Sequence, residues 1–294
     1  MMAPTVTIVI PVYNRARVVE RTLQSVEAQT FRPLRVILVD NGSTDGSLGI
    51  LHRWKSETET PAFRIDIIEE PERGAAAARN AGLAAVETEW TMFFDSDDAM
   101  RPDHVASAME MACAEPGIDI VGWDVTVHGP KGEKTLRRFS SDNLLYECVL
   151  HGTFATQCYF ARTDMFRRAG GWNPAMKAWA DVELGVRLLG LSPLVACRRG
   201  KPKVDVYAQA ESLSGPKYSS RGTVSESAID EIERLLPEDK RYISGMKRAI
   251  LAACYHREGI VDPVPLLTRA LHGTPKLRHR LLLRMTYIIK SLLP

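Results

Sequence analysis

The sequence predicts an α/β protein: a mostly parallel central sheet flanked by helices, followed by a helical C-terminal extension. Three observations predict it. Strand-like and helix-like segments alternate through the first 125 residues, the strands end in polar turns, and residues 223–294 are helical and basic. The chain has 294 residues, 45% of them hydrophobic and 25% charged, enough for a sizeable core and too apolar for a disordered chain. With 20 glycines and 17 prolines it is neither collagen-like nor of low complexity.

The first strand is expected at Val6–Ile10, and Leu34–Val39, Phe63–Ile68 and Trp90–Phe94 follow as short β-rich runs. Helical patterns at Arg15–Ala28, Ser47–Trp54 and Ala75–Val86 lie between them. That order is the βαβ signature of a parallel sheet with helices on both faces. Such sheets bind ligands beyond the carboxyl ends of their strands. The chemistry is therefore expected in the turns Pro11–Arg15, Asp40–Asp45 and Asp95–Asp98. Periodicity is less regular from 126 to 222, where the informative segments are Thr156–Phe160, the turn Gly170–Pro174 and a helix-like stretch Asp181–Leu189. The organisation read from this is one domain over 1–222, in two halves of different pattern (1–125 and 126–222), then the extension 223–294.

Charge separates the two ends. Lys and Arg exceed Asp and Glu by 38 to 36, a net of +2, which argues against a nucleic-acid partner. Residues 240–294 hold 11 basic and 2 acidic residues, so they carry +9 and the rest of the chain −7. In the segment 276–294, Leu277, Leu281, Met285, Ile288 and Leu292 share one helical face, extended by Leu282 and Ile289. Lys276, Arg280, Arg284 and Lys290 gather opposite, and Arg278 intrudes on the apolar side. Such a helix suits the surface of an anionic membrane; the alternative is a helix docked on the catalytic domain or on a second copy in a homodimer. Five scattered cysteines without CxxC spacing indicate neither disulfides nor zinc. The N-terminus lacks a basic leader and no apolar run is long enough to span a bilayer, so a cytoplasmic location is expected.

The most informative turn is Asp95-Ser96-Asp97-Asp98. Three carboxylates within four residues raise each other's pKa, a conflict relieved by a hard divalent cation shared with a diphosphate. A solvated acidic turn ahead of a helix explains the same residues. In Asp40-Asn41-Gly42-Ser43-Thr44-Asp45, turn and cap chemistry accounts for Gly42 and Thr44, leaving Asp40 and Asn41 to accept the N3–H of a pyrimidine. Arg79, in the small-residue helix after Gly74, is either a surface charge or a buried grip on carboxylate or phosphate.

Taken in order, Val6–Asn14, Val39–Asp45, Gly74–Gly82 and Phe93–Asp98 resemble the inverting family-2 glycosyltransferases of the bacterial envelope and polysaccharide type. The resemblance implies the GT-A, Rossmann-like nucleotide-diphospho-sugar transferase fold. It also implies a base pocket of Pro11, Tyr13, Asp40 and Asn41, with Arg79, Asp95 and Ser96 completing the nucleotide site. Asp95, Asp97 and Asp98 become the DxD region binding Mn²⁺ or Mg²⁺, and a UDP-sugar is favoured over a dTDP-sugar as donor. Farther on, Gly170–Asn173 and Trp179–Arg187 resemble the family's acceptor region, placing Asp181 at the general base and Trp179 and Glu183 beside the acceptor. The implied acceptor is a glycan or a lipid-linked sugar. Ala180 stands where a Glu is usual and Gln209 where a His is common. These two departures lend weight to a non-catalytic sugar-binding protein of the same fold. A sugar nucleotidyltransferase would carry an early glycine-rich phosphate loop, and Ile10–Arg17 contains no glycine. Trp123 and Trp172 are candidates either for sugar stacking or for the core, and His104 has no metal-ligand spacing.

Overall fold

The computed structural model describes residues 6–129, 132–208, 222–259, 261–274 and 276–292. The first half follows the expected alternation: β1 (Val6–Val12), α1 (Val19–Glu27), β2 (Leu34–Asp40), α2 (Ser47–Thr58), β3 (Phe63–Glu69), α3 (Ala75–Ala85) and β4 (Trp90–Phe93). A short β5 (Ala99–Met100) and α4 (His104–Ala114) lead to β6 (Ile120–Trp123), β7 (Val125–His128), β8 (Lys134–Arg137) and α5 (Leu144–His151). Then come β9 (Tyr159–Arg162), α6 (Thr163–Arg168), α7 (Ala180–Gly190), β10 (Val195–Arg198) and β11 (Val204–Tyr207). The extension supplies α8 (Gly222–Leu235), α9 (Tyr242–Glu258), α10 (Val264–His272) and α11 (Leu277–Leu292).

Seven strands form the main sheet in the order β10-β6-β9-β4-β1-β2-β3. β1 pairs in parallel with β2 and β4, and β2 with β3, in the right register to end Val12 beside Asp40. Only β9 runs antiparallel, between β4 and β6. The central strands β1 and β2 are buried on both faces, hence their unbroken Val, Ile and Leu runs. Helix α3 lies against them through Gly82, where a Cβ would collide with the Val9 side chain. A second sheet, β5-β11-β7-β8, closes over the acidic turn. Since the main sheet takes strands from both expected halves of the 1–222 region, the two halves share one core.

Helix α1 begins at Val19 and not at Arg15. Asn14 adopts φ +51°, and the backbone N–H groups of Asn14, Arg15 and Ala16 donate to Ser43 Oγ, Ser47 Oγ and Asp45 Oδ2. Those bonds hold the first turn against the second.

The extension is anchored by α9, which packs on α5 and is flanked by α8, α10 and α11. Helix α11 attaches through the buried Leu283, with the His279 ring stacked on Tyr242 at 4.1 Å. Its apolar face therefore points away from the body. Leu277, Leu281, Leu282, Met285, Ile288, Ile289 and Leu292 are all exposed, from 38% at Leu282 to 80% at Leu292. The expected alternative, an apolar face docked on the domain with the basic face in water, is thus not the arrangement adopted within this chain. Among the described residues no helix is long and apolar enough to cross a membrane.

Candidate active site

The carboxyl ends of β1, β2 and β4 converge where expected. Beyond β2, Asp40 is buried, and its Oδ2 accepts the backbone N–H groups of Gly42 and Ser43 at 3.1 and 3.0 Å. Its Oδ1 is buried without a hydrogen-bond partner among the described residues, an acceptor open to a ligand donor. Asn41 differs from expectation. Its amide donates to the carbonyl oxygens of Glu70 and Glu72 at 2.9 and 2.6 Å, and its Oδ1 accepts from Gly74 N–H at 2.8 Å. The side chain ties the segment before α3 to the sheet, which commits both amide N–H groups and leaves a base only the second lone pair of Oδ1. Pro11 is half-buried, and Tyr13 is 48% exposed with the Arg73 guanidinium 4.8 Å from its ring centre.

The acidic turn is held from several sides. Asp95 accepts from Arg79 at 2.7 Å on Oδ1 and from Gln157 Nε2 on Oδ2. Arg79 is half-buried and grips a carboxylate, in line with the second of its two readings, and its guanidinium also lies 4.4 Å from the Trp172 ring centre. Asp95, expected both to touch the nucleotide and to bind metal, thus has both oxygens already engaged. Ser96 is buried within the turn. The Asp97 carboxylate lies 3.7 Å from Arg15, and its backbone oxygen accepts from Arg21. Asp98 Oδ1 accepts the Tyr207 N–H at 2.8 Å, while its Oδ2 is buried without a hydrogen-bond partner among the described residues. Burial pushes the Asp97 carboxyl above its ordinary value, Asp95 adds to this, and Arg15 opposes it. Asp98 rises well above, through burial and then the charges of Asp95 and Asp97.

This donor set fits a hard cation. It is all oxygen, it has a carboxylate oxygen at Asp98 without a hydrogen-bond partner among the described residues, and burial, with mutual repulsion second, raises the Asp97 and Asp98 carboxyls. Among the described residues no three of His, Cys, Asp or Glu close on a common point. An ion of the Mg²⁺ or Mn²⁺ type takes one or two carboxylates and fills its shell with phosphate oxygens and water.

The acceptor half reaches the same region through α7. Its first turn contains Asp181, whose Oδ1 accepts the Val182 N–H at 3.0 Å. Burial raises the Asp181 carboxyl, while the charges of Arg79, Lys247 and Arg137 pull it back. Gly185 brings α7 against α5, where a Cβ would come within 2.7 Å of Cys148 Sγ. Trp179, immediately before the helix, holds a left-handed φ of +52°, uncommon for an aromatic residue. Glu183, expected beside the acceptor, is instead buried, with its two oxygens on Arg187 Nε and Nη2 at 2.8 and 2.6 Å. It fastens α7 internally; its i,i+4 spacing to Arg187 is the sequence signal that foretold this. Trp123 and Trp172 are both core residues, 0% and 1% exposed, which removes them as sugar platforms. Gln209 lies outside the described residues.

Four side chains here escaped the sequence reading. Asn80 joins α3 to the Gly170–Asn173 turn by exchanging hydrogen bonds with the Trp172 backbone. Gln157 orients Asp95, and Arg21 lies 3.6 Å from the Tyr207 ring centre. Lys247 arrives from α9, its Nζ 4.4 Å from the Trp179 ring centre. None carries a local motif. Only the tertiary structure brings them to the site.

A model of the glycosyl transferase family 2 domain matches residues 7–169, more than half of the chain and all of the nucleotide-side turns. The chain belongs to glycosyl transferase family 2. This family-2 member is 26% identical to the glycosyltransferase AglE of Haloferax volcanii over 68% of each chain. It is 33% identical to the succinoglycan biosynthesis protein ExoO of Rhizobium meliloti, over 48% of this chain and 38% of that one. With the glycosyltransferase GlyA of Streptococcus pneumoniae it shares 36% identity over 34% of this chain and only 14% of the larger protein. Among solved structures, S. aureus TarS in complex with UDP-GlcNAc superposes with TM-score 0.64 at 18% identity, over 98% of this chain and 89% of that one. The mannosyltransferase PcManGT of Pyrobaculum calidifontis, in complex with GDP-Man and Mn²⁺, gives 0.55 at 19% identity, over 97% and 85%. At such identities the structural matches establish the fold, which is that of the GT-A glycosyltransferases.

Proposed function

We propose that this family-2 glycosyltransferase moves a sugar from a UDP-sugar to a hydroxyl of a glycan or lipid-linked acceptor, with inversion and with a divalent cation. The observation that carries the donor side is the buried Asp40 Oδ1, an acceptor without a partner at the mouth of the sheet. It suits the N3–H of uracil, a donor that thymine shares and that guanine presents in a different ring position. The exposed Tyr13 ring offers a face to the base. Arg15, Arg21 and Arg79 bring positive charge to the place where a diphosphate would lie. Asp97 and Asp98 would hold the cation; when bound it neutralises the diphosphate leaving group. Asp95, engaged by Arg79 and Gln157, orients the arginine and not the metal.

On the acceptor side Asp181 takes the hydroxyl proton as the acceptor oxygen attacks the anomeric carbon. The carbon–oxygen bond to the diphosphate breaks in the same displacement, and UDP departs with that electron pair. One carboxylate suffices, and no covalent sugar intermediate forms.

Envelope or polysaccharide synthesis is the setting that relatives such as ExoO suggest. The outward apolar face of α11, with Lys276, Arg278, Arg280, Arg284 and Lys290 exposed around it, supports work at the cytoplasmic surface of an anionic membrane. The donor reading is tested by titrating UDP into the protein by calorimetry, with Mn²⁺ and then with EDTA. Binding that needs Mn²⁺ and disappears in Asp97→Ala is the expected result. Binding of GDP in place of UDP would overturn the donor, and no nucleotide binding at all would favour a non-catalytic protein.

A further inference from the structure

Lys247 sits in the middle of α9, in the extension that follows the catalytic fold. Its ammonium donates to the Val149 carbonyl oxygen at 2.6 Å and lies 4.4 Å from the centre of the Trp179 ring. Neither contact is with a carboxylate. A lysine that merely covers apolar surface leads its head group out to water, whereas this one turns it onto a ring and a carbonyl. Burial lowers its pKa to about 8, and Asp181 opposes that fall, so the two groups feel each other's charge. Trp179, whose ring meets the ammonium and which precedes Asp181 by two residues, is the one held in the left-handed region at the start of α7.

We propose that Lys247 is a positioning residue for sugar transfer: the C-terminal extension sets its ammonium against Trp179 so that Asp181 stays a carboxylate when the acceptor enters. This rests on the reading of Asp181 as the base. Three cations from three different elements act on Asp181. Arg79 from α3, Arg137 from β8 and Lys247 from α9 favour the ionised form. Cys148 of α5, Cys158 just before β9 and Tyr159 at its start also face it, and burial holds all three protonated at neutral pH. Arg79 is already engaged with Asp95, and both arginines keep their charge at any working pH. Lys247 is therefore the cation of the three whose charge can change near neutrality. The geometry makes the extension part of the active site and not an appendage to it.

Two measurements on the full chain test this. The first follows UDP release from UDP-GlcNAc to water across pH 5 to 9. Lys247→Met should move the acid limb of kcat/KM up by about one pH unit, so that on the acid side of that limb the rate falls by up to about tenfold. Lys247→Arg should restore it, and UDP affinity should be unchanged in both. Asp181→Asn should abolish turnover while UDP still binds. Turnover surviving in Asp181→Asn would overturn the base assignment, whereas an unmoved pH profile in Lys247→Met beside an inactive Asp181→Asn would overturn this inference alone. The second needs no substrate. After reductive methylation with ¹³C-formaldehyde, the Lys247 signal, assigned by its loss in Lys247→Arg, should titrate below those of the surface lysines. It should fall further in Asp181→Asn. A Lys247 signal that titrates with the others and ignores Asp181→Asn overturns the coupling.

Discussion

At the scale of the residue, hydrogen-bond capacity decides which side chains can serve a ligand. Asp40 and Asn41 are neighbours at the end of β2, yet one keeps an open acceptor and the other has its donors and its oxygen committed to residues 70–74. This leads to an expected outcome. Asn41→Asp would set a carboxylate against the Glu70 and Glu72 carbonyl oxygens in place of two N–H donors. Urea unfolding should show a loss of about 1–3 kcal/mol. An unchanged midpoint would mean that the brace contributes nothing. The same counting explains Glu183, whose chemistry is exhausted by Arg187, and it separates Asp95 from Asp97 within one turn. Residue type and position pointed to this cluster from the sequence. The division of labour inside it did not show, because hydrogen bonds between residues far apart in the chain have no local signature.

At the scale of the element, amphipathic pattern and packing face are separate facts. The period of α11 was plain in the sequence, and its seven apolar residues do share a side. Which side met the body was open until Leu283 and His279 were found against α9 and its neighbours. Seven of the thirteen exposed large hydrophobics of the described residues lie on this one helix, so it is a patch and not scattered surface. No acidic residue occurs between 276 and 292, which suits an anionic surface. The protein should co-sediment with vesicles containing phosphatidylglycerol more than with pure phosphatidylcholine. Leu281→Asp with Ile288→Asp should reduce that binding at least tenfold while leaving UDP affinity intact. A concentration-dependent dimer in light scattering that the same pair dissolves, with no vesicle binding, would instead make the face an interface between copies. Helix α1 teaches the same lesson on a smaller scale. Its apolar spacing was right, and its start was set by serine and aspartate side chains from the next turn.

At the scale of the whole molecule, a buried imidazole ties fold stability to pH. His104 opens α4, is 0% exposed, and packs edge-on against Trp123 of β6 at 4.5 Å. Both ring nitrogens lack hydrogen-bond partners among the described residues, and burial drives the pKa from 6.5 to about 3. The folded value lies below the unfolded one, so between them the unfolded chain binds the extra proton. Stability is thus fully present above pH 6.5 and is lost as pH falls toward 3, at up to about 1.4 kcal/mol per pH unit. Exposed acids such as Asp45 and Asp103, whose partners hold their pKa below the ordinary value, add to the acid loss mainly at lower pH. Urea midpoints at pH 8, 5 and 4 should therefore fall less steeply in His104→Leu than in the parent. Parallel profiles would show that His104 takes up its proton without leaving the core.

By itself the sequence determined the α/β class, the position of the first four strands and three helices to within a few residues, and the turns that carry the chemistry. These follow from hydrophobic period and from short-range turn chemistry, both local properties. It also determined the family, through motifs that are contiguous in the chain. Only the tertiary structure decided that β9 runs antiparallel into the same sheet, that Asn41 and Glu183 are braces, and that Trp123 and Trp172 are core. It alone brought Lys247 from the extension to the start of α7. Local pattern specifies what a segment prefers to be. Which charges meet, and which polar atoms are left open for a ligand, depends on packing between segments that the chain holds far apart.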